Sequence, residues 1–446
     1  MVRRFIIEQS DAEFTSHSGL ALVGMALNNH GGLPEVVDRE VPLRHGIAHG
    51  DVLRAYIGLL CLGKSDFEAV SNLREDRFFT EALGISTVPS EVTLRQRFDS
   101  RAEAFLPLVQ EGAVLFLRAV GAKPTPLATG HVPLDADVTP FDNSGTRKEG
   151  VSRTYKGEDG FAPMAAYLGR EGYCLELELR EGKQHCQRDT PAFLKRVLGY
   201  ARQLTEAPVL LRLDSGNDAI ENIEVVLEHN ETDKAGVDFL IKWNPRKEDP
   251  QAWLAYAEEN ARFTQPRPGK RVAIFDYTVT RHYKGYEYQL RRVMRVIERT
   301  IDKKGQTLLV PDIEIEGWWT SLNLPAKKII ALYADHGTSE QYHSEFKTDL
   351  GIERLPSGKF ATNALVLACA TVAYNILRWL GQSGLTGPGA PLRHPAKRRR
   401  IRTVMQELMY LAARVIETGR RLKLAFSRHC VSVKVFDRLY HRLAYG

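Results

Sequence analysis

Cysteine is scarce in this sequence, and its few copies show no metal-binding pattern. The five cysteines stand at positions 61, 174, 186, 369 and 430, and no two of them are separated by only two residues. A zinc site of the Cys-x-x-Cys type is therefore not expected. The odd, scattered set also argues against a disulfide framework and favours a reducing compartment, so we predict a cytoplasmic protein.

The sequence also lacks a secretory signal and a long apolar run free of polar residues. The N-terminal residues Met-Val-Arg-Arg-Phe-Ile-Ile-Glu join a short apolar piece directly to charge. The apolar stretch at 361–382 contains Asn363, Asn375 and Arg378. We interpret this stretch as a buried core helix and not as a membrane span.

Positive charge is concentrated at the C-terminal end of the chain. Residues 391–446 contain 14 Lys or Arg and 3 Asp or Glu, a net charge of +11, whereas the whole chain carries +6. The densest part is the run Lys397, Arg398, Arg399 and Arg400. Such a cluster attracts phosphate backbones without reading base sequence; the alternative is a solvated face of a basic helix. Residues 403–416 have helical periodicity, which predicts a basic helical C-terminal region.

The first 125 residues are predicted to be helical. The run Asp51–Cys61 carries apolar residues at helical spacing. Ser90 is a candidate N-cap for the helix that follows. That helix carries Arg95 and Arg97 after a turn, which resembles the second half of a helix-turn-helix that binds DNA. Plain helical packing is the alternative.

Three acidic residues occupy positions typical of a two-metal nuclease core. Asp137 lies in a predicted strand, Asp214 ends the apolar run that starts at Pro208, and Glu340 lies in a predicted helix. Carboxylates brought together from distant parts of a chain can hold the divalent cations used in phosphoryl transfer. Asp135 is an alternative to Asp137, because it points to the same face of the strand, and Glu345 is a second acid on the helix.

The residues around Glu340 make this interpretation more specific. Tyr333, His336, Glu340 and Lys347 follow the spacing Tyr-x2-His-x3-Glu-x6-Lys. It resembles the Tyr-Arg-Glu-Lys motif of bacterial insertion-sequence transposases with an Asp-Asp-Glu site. The resemblance implies that Glu340 is the third metal ligand and that the other three residues contact DNA phosphates. His336 stands where the family has Arg, and an imidazole would make a weaker phosphate contact than a guanidinium.

Other segments agree with this resemblance in the right order along the chain. They are Asp137-Val-Thr139, Leu213-Asp-Ser-Gly216, Gly160-Phe-Ala-Pro163, and Asn363 with the Ala-Tyr-Asn-Ile stretch at 373–376. Across residues 80–385 the chain resembles the insertion-sequence 1380 family. The resemblance implies an α/β fold with an RNase-H-like catalytic core, which is a mixed sheet flanked by helices.

The chain between Asp214 and Glu340 is longer than a minimal core needs, and it is rich in predicted strands. It resembles the β insertion of related transposases, in which an aromatic residue can stack on an unstacked base. Trp318 and Trp319 are the candidates here; the alternative is that they anchor the insertion to the core. We therefore expect a helical DNA-binding domain at 1–125, catalytic core at 126–235 and 326–385, a β-rich insertion at 236–325, and the basic helical region at 386–446.

The resemblance also implies an activity, cofactors and partners. It implies a DNA transposase that uses two Mg²⁺ or Mn²⁺ ions held by Asp137, Asp214 and Glu340. Such an enzyme cuts at the transposon ends, joins the freed 3′-hydroxyls to target DNA, and forms a homodimer on DNA. A nuclease without strand transfer and a non-catalytic DNA-binding derivative are the alternatives.

Overall fold

The computed structural model describes residues 3–391, 396–419 and 421–446, so the first two residues of the N-terminal segment lie outside the described part. The N-terminal region is helical, as its apolar spacing predicts, apart from a two-residue strand. Every residue of its helix His49–Cys61 is buried. The elements are β1 (Phe14–Thr15), α1 (Leu20–Asn29), α2 (Leu33–Glu40), α3 (His49–Cys61), α4 (Arg77–Leu83) and α5 (Glu91–Ala119).

The N-cap predicted for the last of these helices is present. The Ser90 hydroxyl accepts a hydrogen bond from the backbone N–H of Thr93 at 3.1 Å, which satisfies one of the free donors at the start of α5. The helix then runs for 29 residues with Pro107 inside it.

Strands and helices alternate through the middle of the chain. The elements are β2 (Val132–Val138), β3 (Phe141–Asp142), β4 (Ser152–Arg153), β5 (Asp159–Phe161), β6 (Met164–Leu168), β7 (Tyr173–Glu178), α6 (Thr190–Arg202), β8 (Val209–Leu213), α7 (Ile220–Asn230), β9 (Val237–Lys242), α8 (Pro250–Asn260), β10 (Phe263–Arg267), β11 (Lys270–Tyr283), β12 (Tyr286–Ile301) and β13 (Thr307–Thr320). Most of these strands form one mixed sheet in the order β10-β11-β12-β13-β9-β8-β2-β6-β7.

The sheet has a parallel centre and antiparallel sides. Strand β8 pairs in parallel with both β2 and β9, whereas β6 pairs antiparallel with β2, and β13 pairs antiparallel with β9. The long strands of the predicted insertion therefore extend the central sheet through β9. Residues 237–242, which we placed in the insertion, are a parallel strand of the centre.

Two helical layers cover the sheet. Apolar side chains of α6 and α7, such as Phe193 and Val226, pack on one face with Leu211. The other side packs against helix α11 (Phe360–Gly384) and the N-terminal helices. This arrangement is the mixed α/β fold with a flanked mixed sheet that the sequence predicts. Helix α11 is long and apolar enough to cross a membrane, but 83% of its most apolar window is buried inside the protein, as expected of a core helix.

Glu340 lies in a segment of irregular helical backbone. Helix α9 (Ala326–Ala334) continues through a 3₁₀ turn at Asp335–Thr338 into helix α10 (Ser339–Ser344), which a π turn at Glu345–Asp349 extends. A 3₁₀ turn has three residues per turn and a π turn more than four, so side-chain directions along this segment depart from ideal α-helical phase.

The C-terminal region is only partly helical, which corrects the prediction for residues 403–416. It contains α12 (Ile401–Val404), a π turn at Met405–Met409, β14 (Ala413–Thr418), β15 (Arg421–Phe426) and α13 (Val433–Tyr445). Strand β14 forms where Ala413 and Val415 are buried and Arg414 between them is exposed. It pairs with β15 and, across the whole length of the chain, with β1.

Candidate active site

Asp137 and Asp214 lie side by side at the carboxyl ends of two parallel strands. The register pairs Ala136 of β2 with Leu213 of β8, and each aspartate is the next residue along the chain, Asp137 within β2 and Asp214 just after β8. Because in-register residues of parallel strands point to the same face, both carboxylates lie on one side of the sheet. Burial, and then the negative charge of Asp137, raise the pKa of Asp214. Two carboxylates are thus held close enough to repel each other.

Each aspartate is held by its own backbone surroundings. Asp137 Oδ1 accepts a hydrogen bond from the N–H of Val138 at 2.7 Å, and Asp214 Oδ1 accepts one from the side-chain amide of Asn217 at 2.7 Å. Neither carboxylate is paired with a lysine or arginine in the part of the chain that the structure describes. Their remaining oxygen lone pairs are available to a ligand.

Glu340 is exposed on α10. Tyr155, on the exposed turn between β4 and β5, lies near enough to all three acids to be affected by their charges. Partial desolvation, and then the charges of Asp137, Asp214 and Glu340, raise the pKa of its hydroxyl to about 12. Yet no three His, Cys, Asp or Glu side chains among residues 3–391, 396–419 and 421–446 form a group that could hold a metal ion. The structure therefore brings the two aspartates together and leaves Glu340 near them but apart.

Asp135, the alternative ligand, is committed to an internal ion pair. It is 4% exposed, and both of its oxygens accept hydrogen bonds from the Arg212 guanidinium, at 2.6 and 2.7 Å. Burial alone would raise the pKa of Asp135, but the charges of Arg212 and His336 hold it below its ordinary value. Glu345, the second acid on the helix, is likewise buried and bonded to Arg378 and Arg398.

His336 belongs to this buried network, which corrects its predicted role as a phosphate contact. Its ring is 6% exposed, and Nδ1 lies 3.0 Å from Asp135 Oδ1. Arg212 also donates a hydrogen bond to the carbonyl of Leu332 at 2.7 Å. His336 and Arg212 therefore tie the 3₁₀ turn and the end of α9 to the strands that carry the aspartates.

The aspartate pair fits a divalent cation on the chemistry of its donors. Two adjacent carboxylates, with no lysine or arginine paired to either in the described part of the chain, suit a divalent cation, because oxygen ligands are those that Mg²⁺ and Mn²⁺ prefer. Burial and then repulsion from Asp137 raise the pKa of Asp214, and a cation between the two groups would relieve that repulsion.

Comparison with known proteins identifies the family of this chain. The profile of a family described as "Transposase DDE domain group 1" matches residues 7–445, nearly the whole chain. The chain belongs to this family. No curated protein matches it significantly. Among solved structures, a cryo-EM structure of the piggyBac transposase synaptic complex with hairpin DNA matches at 10% sequence identity and a TM-score of 0.38, covering 96% of this chain and 80% of that one. This similarity is too distant to bear on individual residues.

In this DDE-family chain, the other two residues of the helix motif occupy different settings. Tyr333 is half-buried, and its pKa is raised by burial and then by the charges of the nearby Asp214 and Asp137. The ammonium of Lys347 lies 5.7 Å from the centre of the Phe141 ring and 4.0 Å from Glu353. Lys347 is thus directed toward the β3–β5 region.

Both tryptophans proposed to stack on DNA are buried, which corrects that prediction. Trp318 is 1% exposed, with the Lys242 ammonium 4.2 Å from its ring centre. Trp319 is 3% exposed and donates a hydrogen bond from Nε1 to Asp218 at 2.9 Å. They anchor the long strands of the predicted insertion to the core, in agreement with the alternative interpretation.

The arginines predicted to bind DNA in the N-terminal region make contacts within the protein. Arg95 pairs with Glu68 at 2.5 Å and lies over the Phe67 ring, with 41% of its side chain exposed. Arg97 donates hydrogen bonds to the carbonyl of Ile47 at 3.0 Å and to His49 at 2.6 Å.

The basic run of the C-terminal region is largely engaged with the segment that carries Glu340. Arg398 bonds to Glu345 at 2.9 Å, Arg400 bonds to Asp349 at 2.8 Å, and Arg399 donates to the carbonyl of Leu385 at 2.8 Å. Lys397 and Arg400 remain exposed. Arg398 and Arg400 line an open cavity of about 440 Å³ together with Glu340.

Sequence reasoning missed several residues that surround the aspartates. Arg212 carried a signal, because it is a lone charge inside the apolar run of β8. His343 follows Glu340 by three residues, which places it near the same helix face, and only the structure shows that it reaches Asp137. Tyr155 and Tyr167 carried no local signal, because folding alone brings their segments to the site.

Proposed function

We propose that this DDE-family protein is an active DNA transposase of the bacterial insertion-sequence 1380 type, working in the cytoplasm on the nucleoid. It cuts DNA at the ends of its element and joins the freed 3′-hydroxyls to target DNA. The observation that carries the proposal is the pair Asp137 and Asp214, adjacent at the carboxyl ends of β2 and β8, where burial and then the charge of Asp137 raise the pKa of Asp214.

The surrounding fold supports an RNase-H-like catalytic core. Strand β2 lies in the middle, with the antiparallel strands β6 and β7 on one side and the parallel strands β8 and β9 on the other. Both aspartates lie at the same edge of this arrangement, and a helix carrying Glu340 follows later in the chain.

Asp137, Asp214 and Glu340 would hold the divalent cations, expected to be two Mg²⁺ or Mn²⁺. When bound, such cations activate the attacking oxygen and stabilise the leaving oxygen of phosphoryl transfer. We expect the hydroxyl of Tyr333, a residue near the aspartate pair, to donate a hydrogen bond to a phosphate of the strand being cut. The buried pair of Asp135 and Arg212 fixes the distance between the strands and the helical segment.

The cleft beside Glu340 offers a path for the DNA backbone. Because His336 is buried, the positive charge at this position comes instead from the C-terminal region, where Arg398 and Arg400 line the cleft and Lys397 lies exposed nearby. Guanidinium groups fork onto phosphate oxygens. We therefore assign DNA as the partner on this face, with a homodimer in the complex because two transposon ends must be joined.

Cleavage of duplexes that carry the DNA flanking the coding region tests the proposal. The substitutions Asp137→Asn, Asp214→Asn and Glu340→Gln should each abolish Mg²⁺-dependent cleavage while leaving binding of the same duplexes intact. Glu158→Gln, an exposed acid on the turn next to Tyr155, is the matched control and should cleave normally.

The products separate the three candidate functions. Joining of the cut ends to a target plasmid supports the transposase. Cleavage of arbitrary DNA without joining would instead indicate a nuclease, and binding without any cleavage a non-catalytic DNA-binding derivative. Light scattering of the protein–DNA complex measures whether two copies are present.

A further inference from the structure

A buried histidine on the helix of Glu340 is aimed at the first aspartate. His343 lies on α10, three residues after Glu340, and is 6% exposed. Its Nε2 lies 3.8 Å from Asp137 Oδ2, which is too long for a hydrogen bond. The same nitrogen has no hydrogen-bond partner among the described residues. A buried ring nitrogen without a partner is unusual and calls for an explanation.

The other side of the ring determines which nitrogen carries the proton. Nδ1 of His343 lies 3.1 Å from the hydroxyl of Tyr167. Tyr167 is 1% exposed, and burial holds its pKa well above the ordinary value, so the hydroxyl stays protonated and needs an acceptor. His343 Nδ1 is that acceptor within the described part of the chain. In a neutral imidazole one nitrogen accepts and the other donates, so Nε2 carries the hydrogen that points at Asp137.

The carboxylate of Asp137 needs this second restraint. Its Oδ1 accepts the N–H of Val138, whereas Oδ2 receives no hydrogen bond among the described residues. Carboxylates that bind metals are themselves held by hydrogen bonds from neighbouring groups, and loss of such a group weakens metal affinity.

We propose that His343, oriented by Tyr167, is a positioning residue: a small movement that closes the 3.8 Å gap lets it donate Nε2–H to Asp137 Oδ2 and hold the carboxylate in the orientation that binds a divalent cation. The inference rests on the proposed function, because it assumes that Asp137 is a metal ligand. It would also link the strand of Asp137 to the helix of Glu340, because His343 and Glu340 both lie on α10.

The test is Mn²⁺ binding to the full-length protein without DNA, measured by calorimetry or by the electron paramagnetic resonance of free Mn²⁺. His343→Gln places an amide N–H near the position of Nε2 and should keep the Mn²⁺ affinity within about threefold. His343→Asn reaches only the position of Nδ1 and should weaken it by about 10- to 100-fold. This pair has similar polarity and burial, so a merely structural role would affect both variants alike.

Tyr167→Phe is a second arm if His343→Asn does not fold. It keeps the ring but removes the donor that fixes the tautomer, and we expect affinity to fall several-fold. Unchanged affinity in folded His343→Asn or Tyr167→Phe, with Asp137→Asn abolishing binding, overturns this inference alone. Wild-type protein that binds no Mn²⁺ through Asp137 overturns both this inference and the metal site of the proposed function.

Discussion

Replacing Arg212 with methionine should destabilise the protein more than any surface substitution. The guanidinium is 1% exposed and makes two hydrogen bonds to Asp135, at 2.6 and 2.7 Å, and a third to the carbonyl of Leu332 at 2.7 Å. Methionine fills a similar volume but leaves the Asp135 carboxylate buried with only His336 beside it. Breaking a buried ion pair from one side costs about 3–5 kcal/mol, because the remaining charge is uncompensated.

Removing both charges should cost much less than removing one. In the double variant Asp135→Leu with Arg212→Met, neither charge of the ion pair is left without the other, although His336 loses its hydrogen bond to Asp135. Replacing a buried pair by apolar residues is often close to neutral. We therefore expect the double variant to recover about 2 kcal/mol or more of the loss in the single variant. The double variant should remain slightly less stable than the wild type, because the hydrogen bond from Arg212 to the Leu332 carbonyl is lost.

Urea unfolding monitored by circular dichroism gives the free energies for this cycle. The wild-type protein, Asp135→Leu, Arg212→Met and the double variant are compared at one pH near 7. A loss below about 1 kcal/mol for Arg212→Met, or a double variant no more stable than Arg212→Met, would refute the view that the network holds charge in balance. Glu340 would then need another anchor to the sheet.

Three further predictions follow from the environments of other charged groups. His336→Arg should lower the melting temperature, corresponding to about 1–3 kcal/mol, because it forces a second guanidinium into the buried space beside Arg212; an unchanged or higher value in calorimetry would contradict its burial. Burial, and then the charge of Arg97, lower the pKa of His49 to about 4 in the folded protein. Below pH 6.5 the unfolded state therefore protonates His49 more readily than the folded state, and the free energy of unfolding falls as the pH drops. Between pH 8 and pH 5 the wild type should lose about 2 kcal/mol more than His49→Asn in urea unfolding, and parallel pH profiles of the two proteins would contradict this prediction. Lys397→Ala combined with Arg400→Ala should flatten the slope of log affinity against log salt for DNA by about two, as measured by fluorescence anisotropy, whereas an unchanged slope would place both residues away from DNA.

The sequence predicted the strands of the aspartates well because their signals are local. An apolar run that ends in an acidic residue, as before Asp214, marks a buried strand reaching the sheet edge, and the structure places β8 there. The apolar run could not reveal which strand pairs with β8. That β8 pairs with β2 in a register that sets Asp214 beside Asp137 depends on contacts between segments about 77 residues apart.

The burial and direction of individual side chains were harder to predict than the secondary structure. The spacing of Tyr333, His336, Glu340 and Lys347 suggests one helical face, but the backbone changes from α to 3₁₀ to α to π across it. Each change rotates the later side chains relative to an ideal helix. His336 consequently turns inward to Asp135, Glu340 outward, and Lys347 toward Phe141. A periodicity of 3.6 residues cannot describe such a segment.

Net charge was the least informative guide to the C-terminal region. Its +11 suggests many cations free for DNA, yet Arg398 and Arg400 are bonded to Glu345 and Asp349 of the helical segment that carries Glu340. Acids outside the region thus neutralise bases inside it, and composition counted by segment cannot detect this. The number of phosphates contacted should therefore be well below eleven, and the salt dependence of DNA binding correspondingly shallower than the charge of the region implies. What the region contributes instead is position, because these same pairs hold the basic residues against the helix that carries Glu340.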